Sequence, residues 1–242
     1  MAFDEALLRG YRLHSSPPTF RVYGWECAAL SLGYSQDARE ARGIGVSNPF
    51  VRRITGGGIV RHGNELTYSL VCAKDDLGIP ERVVSSYKVI SAFLIEFYKK
   101  LGLDAAFACD VARPGEKFGI PSAFCFASKE KYDIVVGGRK IGGSAQKRSG
   151  NVIFQHGSIP FDPLEELLER PVTAADLSGS LIGSFTATFG ITAEERGLSS
   201  SEETLFQELK ARKYASREWN LDRIDVTEVK DGDPYRAALV GR

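Results

Sequence analysis

The chain has 242 residues, which is enough to bury a large hydrophobic core within one domain. Hydrophobic residues make up 43% and charged residues 26% of the chain, a composition that excludes intrinsic disorder, collagen-like repeats and disulfide-rich miniproteins. The 31 Lys and Arg residues balance 31 Asp and Glu residues, so the net charge gives no reason to expect nucleic acid or a membrane surface as a partner.

Signals for export and for metal binding are both missing from the sequence. The first residues carry Asp4 and Glu5 where a hydrophobic signal segment would lie, and no window approaches the roughly 18 apolar residues of a membrane span. The four cysteines, at positions 27, 72, 109 and 125, are widely spaced and form no CxxC pair. We therefore expect a cytoplasmic protein with reduced thiols, no membrane span and no metal site.

The first part of the chain is predicted to form a short helix and then mainly strands. Residues 2–13 have apolar side chains at spacings of three and four, which predicts a helix. Four β-like runs separated by Gly, Asn and Pro follow at Thr19–Tyr23, Ala28–Gly33, Phe50–Arg53 and Leu66–Ala73. Pro80 opens a long helix with one apolar face, which ends at Gly102 and is expected to cover one face of the sheet.

The second half of the chain changes from strands to helices. Strands are predicted at Tyr132–Val136, Lys140–Gln146 and Val152–Ile159, with Gly137–Gly138 as a two-residue hairpin turn. After Pro160 three short helices are predicted, because capping boxes recur as Thr173 with Asp176, Thr192 with Glu195 and Ser200 with Glu203. Strands followed by helices predict an α+β fold, a mixed and mainly antiparallel sheet with flanking helices. We interpret residues 1–242 as one domain whose part from about 160 to 242 is rich in helix.

Three consecutive glycines mark the first segment with chemical interest. Gly56, Gly57 and Gly58 lie between two β-like runs, where glycine lets a ligand approach backbone N–H groups. The segment has no phosphate-loop or dinucleotide-binding spacing, so a flexible hairpin is an equal alternative. Cationic side chains and a histidine surround it and favour recognition of an anionic group: Arg52, Arg53, Arg61 and His62.

Lys140 marks the second segment. It lies between strand-like residues and just before a glycine pair, where an apolar or β-branched residue would be typical. A lysine held there can act as a base or as a donor to a carbonyl oxygen, although a solvated strand lysine is an equal alternative. His156, in a later strand, is more often a structural group than a ligand.

Together these segments resemble the biotin/lipoate protein ligase superfamily. The resemblance is carried in order by RRITGGGIVRHGNELTYSL, GRKIGGSAQKR and QHGSIPFD, with further similarity in FRVYGWECAALSLGYSQD and ARKYASREWN. It covers essentially the whole chain and implies the catalytic-domain fold of lipoate ligases. Within the superfamily, Cys125 and Phe126, fifteen residues before Lys140, are similar to a Cys-Phe pair of the cysteine-dependent octanoyltransferases.

The resemblance implies that Cys125 and Lys140 are catalytic. Cys125 would attack as a thiolate, and Lys140 would accept a proton or polarise the thioester carbonyl. Substrate binding is implied for the remaining motif residues: Arg53, Thr55, Gly56, Gly57, Gly58, His62, Gly142, Gly143, Ser144, Ala145 and His156. The reaction implied is transfer of an octanoyl group from acyl carrier protein, or another octanoylated carrier, onto a lysine of a lipoyl domain, with no cofactor.

Partners and alternatives follow from the same resemblance. The acceptors would be lipoyl domains of 2-oxoacid dehydrogenases or the glycine cleavage H protein, and both kinds of partner are expected to be acidic. A local excess of positive charge would then speed their encounter with the site, at Arg52, Arg53, Arg61, Lys147 and Arg148. One alternative is a lipoate–protein ligase that uses ATP and Mg²⁺ with Cys125 as packing. Another is a non-catalytic protein that binds lipoyl domains.

Overall fold

A six-stranded sheet is the centre of the fold. The computed structural model of the chain describes residues 1–39, 49–119 and 124–227. Every neighbouring pair in this sheet is antiparallel, and the strand order is β1-β5-β9-β8-β7-β6. Its strands are β1 (Thr19–Tyr23), β5 (Glu65–Ala73), β6 (Ala105–Phe107), β7 (Ile134–Val136), β8 (Arg139–Ser149) and β9 (Val152–Pro160).

A second, three-stranded sheet makes the architecture mixed. It contains β2 (Ala29–Leu32), β3 (Phe50–Arg52) and β4 (Val60–His62), with β2 parallel to β3 and antiparallel to β4. The predicted α+β fold with a mixed, mainly antiparallel sheet is therefore confirmed. The single-domain interpretation of residues 1–242 stays a prediction.

Helices cover both faces of the large sheet. The helices are α1 (Ala2–His14), α2 (Val83–Lys100), α3 (Phe161–Leu168), α4 (Ala174–Phe189), α5 (Ser200–Glu208) and α6 (Arg217–Asp222). A π-helical turn, Leu209–Tyr214, continues α5. Alternate residues of β5 point to opposite faces, so Tyr68 and Leu70 pack with α2 and α4, whereas Val71 packs with α1. Both faces of β5 are buried, although polar and apolar residues alternate from Glu65 to Leu70. The buried polar side chains are hydrogen-bonded, as Ser69 is to Asp4 of α1.

Several predicted elements agree closely with the structure. The N-terminal helix and β1 were placed within one residue, and the hairpin between β7 and β8 turns on Gly137 and Gly138 as predicted. Their φ values of 55° and 78° lie in the left-handed region that this tight turn requires. The capping box of Thr173 and Asp176 opens α4. The sequence pattern missed β4 and β6, which have three residues each and give too short a period to detect.

The helical part after Pro160 differs from the prediction in number and position. The described residues contain four α-helices there, where three were predicted. The box of Thr192 and Glu195 is wrong, because residues 191–199 form no helix. The third box lies one residue earlier, on Ser199 and Glu202. Glu202 is fully buried and also pairs with Arg196, so the ion pair reinforces this cap.

Arg52 is a buried structural residue, which corrects its prediction as part of a surface cluster. Its side chain is 0% exposed, and its guanidinium donates to backbone carbonyls of Gly33, Tyr34 and Gln36. It also donates to carbonyls at the end of α6, where an arginine satisfies acceptors that have no partner within the helix. Arg52 thus fastens the C-terminal helices to the small sheet.

The glycine loop between β3 and β4 packs directly against the end of β2. A Cβ atom at Gly33 would lie 1.9 Å from the carbonyl oxygen of Gly57, closer than any side chain can approach. Two backbone hydrogen bonds, Arg53 N to Leu32 O and Tyr34 N to Thr55 O, fix the same contact. Residue 33 is therefore glycine because the two backbones touch, and not because of its φ angle.

This contact predicts a stability difference between two glycines. We expect Gly33→Ala to lower the free energy of unfolding by about 2 kcal/mol, because the new methyl group forces the glycine loop away. Gly24→Ala is the matched control, since a Cβ there meets nothing within 4 Å, and we expect it to change stability by less than about 0.5 kcal/mol. Urea unfolding measures both; equal effects of the two substitutions would contradict the packing argument.

Candidate active site

Cys125 lies on a short turn that is attached to the glycine-loop side of the site. A 3₁₀ turn contains Cys125–Ala127, and the N–H of Cys125 donates to the carbonyl of Ile59 at 3.0 Å. Phe124, just before it, forms a parallel bridge with Ile59. The thiol is half-buried, so it remains within reach of solvent.

Lys140, near the start of β8, lies opposite this thiol. Its Nζ is 4.0 Å from Sγ of Cys125. It also donates to the carbonyls of Cys125 at 2.8 Å and Ser128 at 3.1 Å, so it joins the turn to the central sheet. The Lys140 side chain is only 5% exposed, which excludes the alternative of a solvated strand lysine. The two residues predicted to be catalytic are thus brought together.

Asp133 completes this arrangement and was missed by the sequence reasoning. Its Oδ2 is 2.7 Å from Nζ of Lys140, and its side chain is 4% exposed. Burial raises the pKa of Asp133 above its usual value, and the neighbouring Lys140 opposes that shift. One sequence feature could have identified Asp133. It is an acid directly before the apolar strand β7, next to the strand β8 that carries Lys140.

An open cleft of about 680 Å³ lies beside the Cys125 turn. Its size suits a small organic group, since ligand pockets range from about 300 to 1,000 Å³. Both apolar and polar residues line it. The lining includes Ile59, Phe124, Phe126, Pro160 and Pro163 among the apolar residues, and Arg61, His62, Ser128, Lys129, Arg139, Lys140 and Ser158 among the polar ones.

His62 reaches this cleft from the small sheet and is held on both ring nitrogens. Nδ1 donates to Glu65 at 2.5 Å, and Nε2 accepts from the hydroxyl of Ser31 at 2.6 Å. The ring stacks on Trp25 with 3.8 Å between centroids. Burial lowers the pKa of His62, and Glu65 only partly opposes this, so the imidazole is neutral. His62 is a fixed wall residue that presents little free polarity.

Arg53 supports the glycine loop from beneath. Its guanidinium donates to the hydroxyl and carbonyl of Ser31 at 2.7 Å, and to the carbonyls of Gly56 at 3.1 Å and Gly58 at 2.8 Å. Burial lowers the pKa of Arg53 to about 10. It is 3% exposed and is not among the described residues that line the cleft. Direct substrate binding by Arg53 or by the glycine loop stays a prediction.

The remaining predicted binding residues lie on the central strands β8 and β9, except Thr55, which lies between β3 and the glycine loop. Thr55 bonds to Nε2 of His156 at 2.7 Å, and both side chains are buried. Residues 143–145 of β8 pair with residues 156–158 of β9. Gly142, Gly143, Ser144, Ala145 and His156 are thus adjacent in space, as their motifs suggested, but the described cleft lining does not include them.

The predicted positive patch is smaller than expected. Arg52 and Arg53 are buried, so neither can attract a partner in solution, and this part of the prediction is wrong. Lys147 and Arg148 are half-buried, and Arg148 is bonded to the Glu81 carbonyl at 2.6 Å. Arg61 is exposed at the cleft and lies over the Phe124 ring at 5.3 Å. Arg61 is therefore the member of the patch best placed to meet a partner.

The other features of the described residues add no second site. Burial raises the pKa of the Cys72 thiol to about 12, and burial also raises that of Cys109, so neither forms a thiolate readily. Within residues 1–39, 49–119 and 124–227 no group of His, Cys, Asp and Glu could hold a metal ion. No helix in the same residues is long and apolar enough to cross a membrane.

The chain is similar in sequence to lipoyl protein ligases and octanoyltransferases. The family model described as the lipoyl protein ligase A/B catalytic domain matches residues 1–180. A protein named octanoyltransferase LipM from Kyrpidia tusciae is 37% identical over 91% of this chain and 93% of its own. The LipM of Bacillus subtilis is 35% identical over 92% of this chain and 93% of its own.

Solved structures agree with the fold. A protein of T. acidophilum with bound lipoic acid superposes with a TM-score of 0.71 and 26% identity, covering 91% of this chain and 92% of that one. A lipoate–protein ligase A bound with ATP gives a TM-score of 0.70 and 27% identity, covering 92% of this chain and 93% of that one.

The buried His156 predicts a loss of stability in acid. Burial first, and then Arg53, lowers its pKa from 6.5 to about 3, so below about pH 6.5 the unfolded chain binds a proton that the folded chain excludes. The free energy of unfolding therefore falls as the pH falls from about 6.5 towards 3. We expect His156→Gln to reduce this fall by about 2 kcal/mol between about pH 7 and pH 5.

Urea unfolding at the two pH values measures this difference. His14→Gln is the control, because His14 is exposed in α1 and we expect no change in the pH dependence of stability. A His156→Gln protein that loses as much stability in acid as the wild type would show that His156 is protonated in the folded state.

Proposed function

Because the chain belongs to the lipoyl protein ligase A/B catalytic-domain family, we propose that it is an octanoyltransferase that works through an acyl-cysteine intermediate. The acceptor is a lysine of a lipoyl domain, and the reaction belongs to protein lipoylation. The observation that carries the proposal is the Cys125 thiol 4.0 Å from the buried Lys140 amine, on a half-buried residue whose neighbours Phe124 and Phe126 line the cleft. Relatives named octanoyltransferase at 35% to 37% identity support it.

In the first step, the Cys125 thiolate attacks the carbonyl carbon of an octanoyl thioester on acyl carrier protein or another octanoylated carrier. The new carbon–sulfur bond forms on Cys125, the carrier's carbon–sulfur bond breaks, and the carrier leaves as a thiol after taking up a proton. One thioester replaces another, so the free energy changes little. Lys140 stabilises the negative charge on the carbonyl oxygen, since its ammonium lies beside the sulfur that attacks.

In the second step, the amine of a lipoyl-domain lysine attacks the Cys125 thioester. An amide bond forms, the bond to Sγ breaks, and the proton lost by the amine returns to the Cys125 thiolate. A thioester lies above an amide in free energy, so the step runs downhill without ATP. We therefore propose that the reaction needs neither a nucleotide nor a metal ion.

The cleft suits the octanoyl chain. Ile59, Phe124 and Phe126 provide apolar wall at the Cys125 turn. Binding of the octanoyl chain would replace water at these side chains with hydrocarbon. This would stabilise the complex by about 0.8 kcal/mol for each buried methylene group. His62 is neutral and both its ring nitrogens are hydrogen-bonded, so it does not require a charged group on the substrate.

A lipoate–protein ligase is the second candidate, because structures with bound lipoic acid and with ATP share the fold at 26% and 27% identity. Free lipoate carries no activated bond, so a ligase must first form an adenylate with ATP. The same cleft and Lys140 would bind it, and Cys125 would be dispensable. The two functions therefore differ in whether Cys125 and ATP are required. A non-catalytic lipoyl-domain binder would require neither.

The decisive prediction concerns a covalent adduct. When the protein is incubated without ATP with an octanoyl thioester on acyl carrier protein, we expect an intact mass increase of one octanoyl group. The adduct should map to Cys125 and disappear with hydroxylamine, because a thioester is labile to this nucleophile. Addition of a lipoyl domain should then move the octanoyl group to the domain. Intact and peptide mass spectrometry measure each stage.

Cys109→Ala is the matched control for Cys125→Ala. Cys109 is a second partly buried thiol with a raised pKa, so its removal should leave the adduct unchanged. No adduct on the wild type, together with lipoyl-domain modification by Cys125→Ala supplied with lipoate and ATP, would establish the ligase. Failure of both reactions would leave the binding protein.

A further prediction concerns encounter with acidic partners. Arg61 is exposed at the cleft, so its charge can attract an acidic carrier before contact. We expect Arg61→Gln to raise KM for the carrier about threefold to tenfold at low salt, with kcat little changed, and to weaken the salt dependence. Steady-state kinetics at two salt concentrations measure this. The exposed Arg12→Gln is the control, and an equal effect there would assign the change to net charge alone.

A further inference from the structure

The position of Lys140 depends on a residue that neither catalytic motif contains. We propose that Asp133 is a positioning residue that holds Lys140 as an ammonium and aims it at the Cys125 turn, a proposal that rests on the proposed acyl transfer. Asp133 does not touch the reacting sulfur. It acts through Lys140, whose Nζ lies 2.7 Å from its Oδ2.

The hydrogen bonds of Lys140 are complete in this structure. An ammonium has three N–H donors, and three oxygens accept from Nζ of Lys140: Oδ2 of Asp133 at 2.7 Å, and the carbonyls of Cys125 at 2.8 Å and Ser128 at 3.1 Å. Only one of these acceptors carries a charge. When a thioester oxygen needs a donor, a bond to a neutral carbonyl can be exchanged at low cost, while the ion pair keeps the amine in place.

The Asp133 carboxylate is itself held in place, so it can fix the position of the Lys140 amine. The N–H of Glu130 donates to the same Oδ2 at 2.7 Å, and the carboxylate is 96% covered by protein on its side-chain surface. Two donors on a buried carboxylate restrict its rotation. A lysine has four flexible carbon–carbon bonds, and an anchored counter-ion removes most of that freedom.

Gly143 provides the space for the pair. A Cβ atom there would lie 3.0 Å from Oδ1 of Asp133 and 3.1 Å from Cε of Lys140. Both contacts are tighter than ordinary van der Waals contact, so any larger residue would press on both members at once. The second glycine of the KIGG segment is thus explained by the ion pair that lies over it.

The charge of the pair suits its burial. Both side chains are at most 5% exposed, and a lone buried ammonium would lose much of its hydration without compensation. The other titratable groups that face Lys140 are the Cys125 thiol and the exposed carboxylate of Glu130, and Lys129 and Arg139 line the same cleft. Asp133 is the acid within ion-pair distance of Nζ among the described residues.

The test compares Asp133→Asn with Asp110→Asn. Asn keeps the shape of Asp133 and removes its charge, and Asp110 is a nearby exposed acid outside the site. Lysine labelled with ¹³C at Cε is titrated by NMR, and the Lys140 signal is assigned by its absence in Lys140→Arg. We expect Asp133→Asn to move the Lys140 titration midpoint down by at least about one pH unit, and Asp110→Asn to leave it in place. An unchanged midpoint in Asp133→Asn overturns the proposal.

A second readout uses the two half-reactions. In Asp133→Asn we expect transfer from acyl-Cys125 to the lipoyl domain to slow about 100-fold, because the Lys140 amine is no longer held in position. The KM for the lipoyl domain should stay unchanged, because Asp133 does not contact the domain. Gly143→Ala, which keeps every charge, should slow the same step and should keep the ammonium. Normal transfer rates in both variants overturn the positioning role.

The two proposals can fail separately. If the wild type forms no acyl-Cys125 but Asp133→Asn still moves the Lys140 midpoint, acyl transfer is wrong, and the coupling of Asp133 to Lys140 stands. If the wild type forms the adduct and transfers it, and Asp133→Asn titrates and transfers normally, acyl transfer stands and the positioning role is wrong. Thermal unfolding of each variant shows that the comparison is made on folded protein.

Discussion

One buried amine joins the two halves of the candidate active site. Lys140 belongs to the central sheet through β8, yet two of its three donors bond to carbonyls of the Cys125 turn. A desolvated ammonium is tolerated only where charge and hydrogen bonds compensate it, and Asp133 provides that charge. Cys125, the proposed nucleophile, is therefore held where the central sheet keeps a buried cation. The hairpin turn at Gly137 and Gly138 brings Asp133 and Lys140 side by side.

A second set of contacts reaches the same turn from the small sheet. Glu65 orients His62, His62 accepts from Ser31, and Ser31 accepts from Arg53, which in turn binds the carbonyls of the glycine loop. The loop ends at Ile59, whose carbonyl accepts from the N–H of Cys125. The four side chains of this chain of contacts are buried, whereas Gly56 of the loop is exposed. Cys125 is thus fixed by its carbonyl from one side and by its N–H from the other.

The sequence predicted the strands with clear apolar runs, the hairpin and the pairing of Cys125 with Lys140, because these depend on local pattern or on motif resemblance. It placed Arg52 and Arg53 on the surface, since arginine is seldom buried, and no local pattern reveals that six carbonyls surround Arg52. Asp133 was missed for a related reason: its role appears only when β7 and β8 pair. The false capping box at Thr192 shows that cap residues are insufficient without a hydrophobic face that packs.

The same fold and cleft could bind either an acyl-adenylate or a thioester. What distinguishes the two reactions is whether the Cys125 turn takes part. A carboxylate activated by ATP arrives with its own leaving group, so the protein needs only a cation and a cleft, which Lys140 and the glycine-loop side would provide. A thioester must first move to a group the protein controls, and that group must sit within reach of the same cation. The thiol of Cys125 occupies this position at 4.0 Å from Nζ. A packing cysteine would have no reason to lie half-exposed on a turn whose carbonyls are bonded by that very amine, so the geometry favours the thioester route.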